Sequence, residues 1–440
     1  MGDCHLRSRE KGESFCQLNR QVSMSNKVLI SIVFIFFIDR IYGLFKMSGV
    51  IQNTIIVSLL VLFLYFLQGR KEKKIYKQEN RFFIVFLFAI CLNLLFSYIN
   101  RGQTLIQVMH SHEFREFFLL LSFYVFCIIK PSIKEVERII KIAYVFFLFC
   151  FFLEYFIFYP KPIFKLLALT VNEHRFRMVG QLIGFIGYFY YLNIILISKK
   201  TIWHDYILMF GGGLFVILLG FRLHIFALFV VSLLMIYKVK GFNIRSFGLL
   251  VVIGIVSLIF SFSEIGSYVI SNIINRQKSE TFGNEDYVRL QQFYYFSKVH
   301  FISVTDYIFG SGIPAGGSNY EKQMLSLVVY DSRGEFVRTI AQWRDWGLLG
   351  LSWMMGLPLM CVLYYYIWSA ITKVKNKRFY YISAFYFALL LTSLANIEFY
   401  REGAFVFHGL MFYLIHLSAK VCSNKKVNYE NRYNYTTIIK

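Results

Sequence analysis

The stretch "GRKEKKIYKQENRFFIVFLFAICLNLLFSYI", residues 69–99, joins a strongly basic segment to a run, residues 82–99, that has no charged side chain. Runs of roughly 17–25 apolar residues are long enough as helices to cross a hydrocarbon core of about 30 Å. The whole chain of 440 residues has this character, since it is 57% hydrophobic, 20% aromatic and only 16% charged. Because no soluble domain needs so much apolar surface, we predict that the chain folds in a membrane.

Similar runs recur along the chain and predict an all-α polytopic membrane protein with about 12 transmembrane helices. One pair is ambiguous, because residues 205–238 can also be read as a single over-long run. "GGG" at 211–213 predicts close packing between helices. The runs lie near 28–46, 49–68, 82–99, 115–130, 139–159, 179–198, 205–221, 223–238, 246–262, 346–369, 379–397 and 403–419.

Lysine and arginine give the orientation, because these residues stay in the cytoplasm when they lie in short loops. The formal net charge of +22 is concentrated in segments that a count of twelve spans places on one side. Both termini, 1–27 and 420–440, are therefore predicted to be cytoplasmic tails. Because the excess is spread over short loops beside spans, we predict no nucleic-acid partner. The basic segments are 1–27, 69–81, 130–141, 199–200, 238–245, 373–378 and 420–440.

One connection, residues 263–345, is much longer than the others and separates nine spans in 28–262 from three in 346–419. The count places it outside the membrane, between the ninth and tenth spans. Connections of this size usually have a function. It contains "FGSGIPAGGSNY" (309–320), which is typical of a turn region, and charges of both signs, which suit a polar, charged substrate.

Ionisable groups at membrane depth are costly and mark functional candidates. Arg222 has long apolar sequence on both sides, which predicts that it faces a wet cavity or an anion. Charges near predicted span ends could instead snorkel to the interface. The other such groups are Asp39, Arg40, Arg115, Glu154 and Glu398.

Arg175 and Arg177 lie directly before the span at 179–198, on the predicted outer side. Guanidinium groups there could bind an anion together with the positive end of the following helix. Arginine binds phosphate oxygens in a bidentate manner. The anion most available outside on a large lipid carrier is a diphosphate. The alternative is that both arginines only contact lipid head groups in the interface.

Four segments, in their order along the chain, resemble the O-antigen polymerase and ligase superfamily over roughly residues 80–400. "RFRMVGQLIGF" (175–185) is similar to the arginine-led span of that family, and "LLGFRLHIF" (218–226) to its lone arginine between spans. The long loop adds "VRLQQFYYFSKVHFISVTDYIFGSGIPAGG" (288–317), and "RDWGLLGLSWMMGLPLM" (344–360) leads into the next span. No single motif is specific.

The resemblance implies a GT-C-like fold and transfer of a glycan between undecaprenyl-diphosphate-linked donor and acceptor, with inversion, outside the inner membrane of a bacterium. It implies no cofactor, nucleotide sugar or metal, and a chain-length regulator is a candidate partner. Ligases of the family carry a histidine about eleven residues before the Gly-Leu-x-Gly motif. Residues 331–340 contain none, which favours a polymerase of O-antigen or capsule.

The resemblance matches Arg175 or Arg177, Arg222 and Arg289 to arginines of the family, while Asp331, Glu335 and Arg338 are further candidates because they are charged residues of the long loop. The predicted diphosphate-binding residues are Arg175, Arg177, Arg222, Arg289 and Arg338. The predicted catalytic residues are Asp331, Glu335 and Arg222, the two carboxylates as general bases or groups that orient the acceptor. Either carboxylate could instead be a solvated surface group.

Two other classes stay open. A lipid-linked oligosaccharide flippase or other secondary transporter would also have about 12 spans, but we expect it to have short outer loops. A mannosyltransferase that uses a polyprenyl-phosphate sugar should have an acidic pair in its first outer loop, and "FKMSG" (45–49) has none.

Overall fold

The computed structural model describes residues 26–38, 49–109, 111–157, 170–172, 175–177, 181–198, 202–219, 221–241, 288–330, 336–339, 343–393, 399 and 404–437. Helices dominate these ranges, as the apolar runs predict. Two short antiparallel hairpins, which the sequence did not predict, also occur. In the first, Asn172 pairs with Arg175, and in the second, Val329 pairs with Arg338.

The helices follow the apolar runs because a helix satisfies its own backbone hydrogen bonds, which lipid cannot do. They are α1 Asn26–Ile38, α2 Gly49–Gln68, α3 Arg70–Ile75, α4 Lys77–Arg101, α5 Leu105–Met109, α6 His112–Phe118, α7 Ser122–Ile129, α8 Ile133–Phe156, α9 Gln181–Ile197, α10 Trp203–Leu218, α11 Arg222–Lys240, α12 Val288–Tyr294, α13 Val304–Phe309, α14 Asn319–Ser326, α15 Gly347–Lys373, α16 Tyr380–Thr392 and α17 Ala404–Thr437. The strands are β1 Thr170–Asn172, β2 Arg175–Arg177, β3 Val328–Tyr330 and β4 Phe336–Thr339.

Six helices in the described ranges are long and apolar enough to cross a membrane, against about 12 predicted from the runs. Three shorter apolar helices accompany them. The ambiguous region 205–238 forms two helices, α10 and α11, and the predicted span at 115–130 is divided into α6, a 3₁₀ turn and α7. The predicted span at 246–262 lies outside the described residues. The six are Val50–Gln68, Lys77–Arg101, Ile133–Phe156, Arg222–Lys240, Trp343–Lys373 and Ala404–Val421.

Contacts bring the basic segments to one end of the bundle, which we call the basic face. Residues from five of the predicted cytoplasmic segments meet there, although they are far apart in the sequence. The grouping predicted from charge is therefore also a spatial grouping, and its assignment to the cytoplasm is a prediction of the charge rule. The contacts are Lys27 Nζ to Lys130 O (3.1 Å), Arg378 to Glu137 (2.8 Å), Lys377 Nζ to Val239 O (3.0 Å) and His416 Nδ1 to Glu79 (2.6 Å).

Gly212 confirms the close packing predicted from "GGG". A Cβ atom at this position would lie 2.2 Å from the hydroxyl oxygen of Tyr144. Tyr144, on α8, is buried and donates a hydrogen bond to Leu208 O at 2.7 Å. The absence of a side chain at Gly212 therefore lets α8 and α10 share a buried polar contact, as is common between membrane helices.

A second buried polar set joins the last three helices. Tyr366 on α15 and Tyr386 on α16 share a hydrogen bond through their hydroxyls. The Tyr386 hydroxyl contacts His408 Nδ1 of α17 at 3.1 Å, and His408 Nε2 donates to Phe399 O at 3.0 Å. All three side chains are fully buried, so these bonds fix the mutual positions of α15, α16 and α17.

Candidate functional site

Polar residues on one face of α4 form the starting point of the site. Ser97 follows Asn93 by four positions, and Asn100 and Arg101 follow Ser97 by three and four, so these residues lie on one side of the helix. Asn93 and Ser97 are buried, and the Arg101 side chain is only 5% exposed. All four lie in the half of α4 away from the basic face, and all meet residues 300–318. We call residues 300–318 the re-entrant segment.

The re-entrant segment runs down α4 toward the basic face. Asn100 donates to Thr305 Oγ1 at 2.9 Å, the Phe309 ring stacks on Phe96 with centroids 4.0 Å apart, and Asn93 donates to Phe309 O at 2.8 Å. Asn93 is two turns from Arg101, about 12 Å along the helix. Helix α13 is therefore antiparallel to α4 and ends within two turns of the end of α4 that carries Arg101.

The segment then returns to the end of α4 that is opposite the basic face. Gln103, which follows α4, donates through Nε2 to Ile313 O at 3.2 Å. Its Oε1 accepts hydrogen bonds from Ala315 N and the Ser318 hydroxyl, both at 3.1 Å. The glycine-rich stretch 309–320 is thus a turn region, as predicted, but the turn is embedded between helices.

Helix α15 is broken where the turn reaches it. Gly356 has a non-helical backbone (φ 78°, ψ 168°), and Pro358 follows two positions later. A break of this kind leaves carbonyl groups without intrahelical partners. The re-entrant segment supplies partners, since Ser311 N donates to Trp353 O at 3.1 Å and Gly312 N to Met354 O at 2.8 Å. Met354 O also accepts from Asn93 at 2.8 Å.

Gly310 and Gly356 let the two backbones touch. A Cβ atom at Gly310 would lie 2.4 Å from Gly356 N, and one at Gly356 would lie 2.2 Å from Phe309 C. Both glycines have a positive φ, 81° and 78°. Any side chain at either position would therefore meet backbone atoms as well as an unfavourable conformation.

An ion pair joins the segment to the last residue of α4, at the end opposite the basic face. Arg101 donates to Asp306 Oδ2 at 2.9 Å and to His300 O at 2.5 Å. The Asp306 carboxylate is fully buried and also accepts from Asn100 at 2.7 Å and from Ile302 N at 3.1 Å. A buried charge that is paired and hydrogen-bonded in this way holds its surroundings together, because removing either partner leaves the other uncompensated.

His300 forms a buried hydrogen-bonded group with two hydroxyls beside this ion pair. Its Nε2 lies 2.8 Å from Ser311 Oγ and 3.1 Å from the Tyr320 hydroxyl, which donates to Ser311 Oγ at 3.0 Å. Burial, and to a lesser extent the positive charge of Arg101, lower the pKa of His300 from 6.5 to about 3. Burial also raises the pKa of Tyr320 above its usual value. The group is therefore neutral at physiological pH.

The structure places the segments of Arg175, Arg177 and Arg222 at neighbouring helix ends. Arg222 is the first residue of α11 and is exposed, and strand β2 with both other arginines ends four residues before α9 begins. Two contacts show that α9 and α11 run side by side in the same direction. These are the ring contact of Phe185 with His224 (5.4 Å) and the hydroxyl contact of Tyr188 with Ser232 (3.0 Å).

Both helices begin at the end of the bundle opposite the basic face. Asn193 near the end of α9 donates to Arg378 O at 2.6 Å, and Val239 near the end of α11 accepts from Lys377. The amino termini of α9 and α11, which carry positive partial charge, therefore share the end of the bundle to which α4 brings the re-entrant segment.

The remaining predicted site residues have different outcomes. Arg289 lies in the first turn of α12, and Arg338 lies in β4 opposite Val329. Asp331 and Glu335 lie outside the described residues. Helix α12 packs on the start of α15 through Phe293, whose ring centroid is 5.2 Å from that of Trp346. Arg289 thus lies at the same end of the bundle as the re-entrant segment, opposite the basic face.

Gln292 was missed by the sequence analysis. It lies one turn after Arg289 and is fully buried. Neither Nε2 nor Oε1 has a hydrogen-bond partner in the part of the chain that the structure describes. Such an orphaned buried amide is rare in folded proteins and is a reason to look for a role. Nothing in the sequence marks it, because glutamine in a polar loop is ordinary.

Neither metal-ligand geometry nor comparison with known proteins assigns a function to the site. Among the described residues, no group of three or more His, Cys, Asp or Glu side chains could hold a metal ion. Comparison of the chain with protein-family models and with characterised proteins finds no match. The resemblance to the O-antigen polymerase and ligase superfamily therefore stays a prediction.

Proposed function

We propose that this protein is a polymerase that joins undecaprenyl-diphosphate-linked oligosaccharide repeat units into O-antigen or capsular polysaccharide. The reaction takes place on the outer face of the cytoplasmic membrane of a bacterium and inverts the anomeric centre. One observation carries the proposal: the arginine-bearing segments before α9 and at the start of α11 lie at adjacent helix amino termini, at the end opposite the basic face.

The proposed reaction needs positive charge at that place. The hydroxyl of an acceptor sugar attacks the anomeric carbon of the donor, and the bond from that carbon to the diphosphate oxygen breaks. Charge develops on the leaving diphosphate. Guanidinium groups and helix amino termini stabilise this charge best in a site that excludes water. The diphosphate ligands in this proposal are Arg175, Arg177, Arg222, Arg289 and Arg338.

The proton of the attacking hydroxyl needs an acceptor. Asp331 and Glu335 are the proposed bases, and they belong to the connection between β3 and β4. A base of this kind must come within about 3 Å of the hydroxyl. Because β4 also carries Arg338, the same hairpin would supply both a base and a phosphate ligand.

The re-entrant segment and the break in α15 support a substrate site at this end of the bundle. Non-helical backbone at membrane depth is tolerated only where protein or a water-filled cavity surrounds it, and it is frequent at substrate sites. The segment also connects α12, which carries Arg289, to the rest of the bundle. A docked loop is suited to hold a glycan close to a lipid-borne diphosphate.

A transporter of lipid-linked oligosaccharides is the second candidate, because α15 is interrupted at Gly356. Broken helices are typical of secondary transporters. Within the polymerase class, a ligase that transfers finished polymer is the nearest alternative.

Reconstitution decides between these functions. Purified protein in liposomes with lipid-linked repeat units should produce a ladder of polymer, and Arg222→Ala should reduce its rate on the order of a hundredfold. Arg222→Lys keeps the charge without the planar fork and should lose less. Lys322→Ala, which removes an exposed positive charge on α14, is the matched control and should behave as wild type.

Two results would contradict different parts of the proposal. Wild-type rates in Arg222→Ala would show that Arg222 takes no part in the reaction. Movement of repeat units between leaflets by the wild-type protein, without joining them, would favour the transporter.

A further inference from the structure

We propose that residues 302–309, within the loop that charge and length place outside the membrane, enter the outer leaflet and contact lipid acyl chains. This surface is formed by Ile302, Val304, Tyr307 and Ile308, which we call the apolar edge. The inference is independent of the proposed chemistry, because it uses only the packing of α13 on α4 and the exposure of both helices.

One side of helix α13 packs on α4, and its other side is exposed. Thr305, Asp306 and Phe309 contact α4 through hydrogen bonds and ring stacking. The apolar edge points elsewhere, with exposed fractions of 70% for Ile302, 74% for Val304, 49% for Tyr307 and 41% for Ile308. Four large exposed apolar side chains within seven residues form a contiguous patch, which in a soluble protein marks an interaction surface.

The exposed surface of α4 beside the apolar edge indicates that lipid covers this edge. Phe88, Leu95 and Ile99 lie on one stripe of α4 and are 62%, 51% and 60% exposed. Because α4 is a helix of membrane-spanning length, this exposed apolar stripe faces lipid. Thr305 lies at the level of Asn100 and Phe309 between the levels of Asn93 and Phe96. The apolar edge is therefore at the same depth as the lipid-facing Leu95 and Ile99.

The depth of the turn agrees with this assignment. Asn93 is 12 positions after Arg81, the last charged residue before the apolar run, which corresponds to about 18 Å along the helix. A hydrocarbon core is about 30 Å thick. If Arg81 marks the inner boundary of that core, the tip of the re-entrant segment at Phe309–Gly310 lies well inside it.

Hydrocarbon is tolerable at the tip of this segment because polar groups there have partners within the protein. The backbone N–H of Gly310 donates to Asp306 O, while those of Ser311 and Gly312 donate to carbonyls of α15. Asp306 is the one charged residue in 302–317, and it is paired with Arg101. The Tyr307 hydroxyl donates to Ser297 O at 3.1 Å, so tyrosine places its ring toward lipid and its hydroxyl toward the interface.

Spin labels test the proposal directly. Single cysteines at Val304 and Ile308, in a background with the seven native cysteines replaced by serine, are labelled and reconstituted in phosphatidylcholine vesicles. Collision with oxygen, which concentrates in lipid, is compared with collision with a water-soluble nickel chelate. Phe88→Cys on the lipid-facing stripe of α4 and Gln323→Cys, an exposed position on α14, provide the two reference values.

We expect the oxygen-to-nickel ratio at 304 and 308 to be closer to that at position 88 than to that at position 323. Ratios closer to position 323 would overturn the proposal. Wild-type protein provides a second measurement that needs no substitution. A phospholipid with a diazirine on its acyl chain should leave adducts in 302–309 and in 84–99, and labelling of 84–99 alone would refute the inference.

Discussion

The buried ion pair between Arg101 and Asp306 gives the sharpest prediction, which is the effect of Asp306→Asn. The carboxylate accepts from Asn100 at Oδ1 and from Arg101 and Ile302 N at Oδ2. In the variant, the new amide group would sit most easily at the Oδ1 position, where Asn100 can rotate its own amide to accept. The hydrogen bonds at Oδ2 then survive, and the main loss is the negative charge beside a guanidinium that is only 5% exposed.

Breaking a buried pair from one side costs about 3–5 kcal/mol, and the surviving hydrogen bonds favour the lower end, about 3 kcal/mol. At about 1.4 kcal/mol per factor of ten, undocking of the re-entrant segment should become on the order of a hundredfold more frequent. The readout is hydrogen exchange of residues 309–317 in lipid nanodiscs. The amides of Ser311 and Gly312 report docking, because they donate to carbonyls of α15.

Glu137→Gln is the matched control, because it makes the same chemical change in a surface pair. Its partner Arg378 is 50% exposed, and such pairs contribute about 0–1 kcal/mol. It should leave exchange in 309–317 unchanged. The double substitution Arg101→Met with Asp306→Leu removes both charges and should restore most of the protection. Equal exchange in Asp306→Asn and Glu137→Gln would refute the assigned role of the pair.

Three further predictions concern the same region. His300 is neutral when docked, with a pKa near 3 against an ordinary value of 6.5, so docking is most stable above pH 6.5 and is weakened as the pH falls. The loss should reach about 2 kcal/mol at pH 5, and hydrogen exchange that is independent of pH after correction for the intrinsic rate would contradict this. Gly310→Ala places a Cβ atom 2.4 Å from a backbone nitrogen, whereas Gly317→Ala has the same sign of φ and open space. Gly310→Ala should therefore lower the thermal unfolding midpoint much more than Gly317→Ala, and equal effects would refute the backbone contact. Gln292→Met removes two buried polar atoms that have no hydrogen-bond partner among the described residues. It should raise the free energy of unfolding by about 1–3 kcal/mol. A lower unfolding midpoint would show that the amide has a stabilising partner.

The apolar runs predict the helices well because each depends only on local sequence. Lipid cannot bond to a backbone, so a long apolar run must become a helix wherever it crosses. Local sequence also predicts the turn at 309–320 from its glycines, but it leaves residues 205–238 open between one run and two helices. Residues 115–130 show its limit, since hydropathy does not report the 3₁₀ turn at Leu119–Leu121 that divides the run.

The break in α15 and the path of the re-entrant segment depend on pairs of residues that are distant in the sequence. Arg101 and Asp306 are 205 positions apart, and the sequence around either residue does not indicate that the other is its partner. The spacing of Asn93, Ser97 and Asn100 on one face of α4 was readable, because three polar side chains on an apolar helix need polar partners. This spacing indicates that a polar segment packs on that face of α4, but it does not indicate that the segment is a glycine-rich turn.

The location of the ion pair relative to Arg289 links the docking of the loop to the proposed reaction. Helix α12 continues through the π-helical turn Tyr295–Val299 to His300, whose carbonyl accepts from Arg101. Phe296 in that turn stacks on Trp353 of α15 with centroids 4.8 Å apart. The helical segment 288–300, which carries Arg289, is therefore held at its far end, His300, by the ion pair and at Phe296 by α15.

Loss of the ion pair should release that far end and let Arg289 move away from a bound diphosphate. Asp306→Asn should accordingly reduce polymer formation although Asp306 contacts no substrate, and Glu137→Gln should not. Restoration of polymer formation by the uncharged double variant would show that Asp306 positions the loop and takes no part in the chemistry. If the double variant docks normally and still forms no polymer, Arg101 or Asp306 has a direct part in the reaction, and the positioning role is wrong.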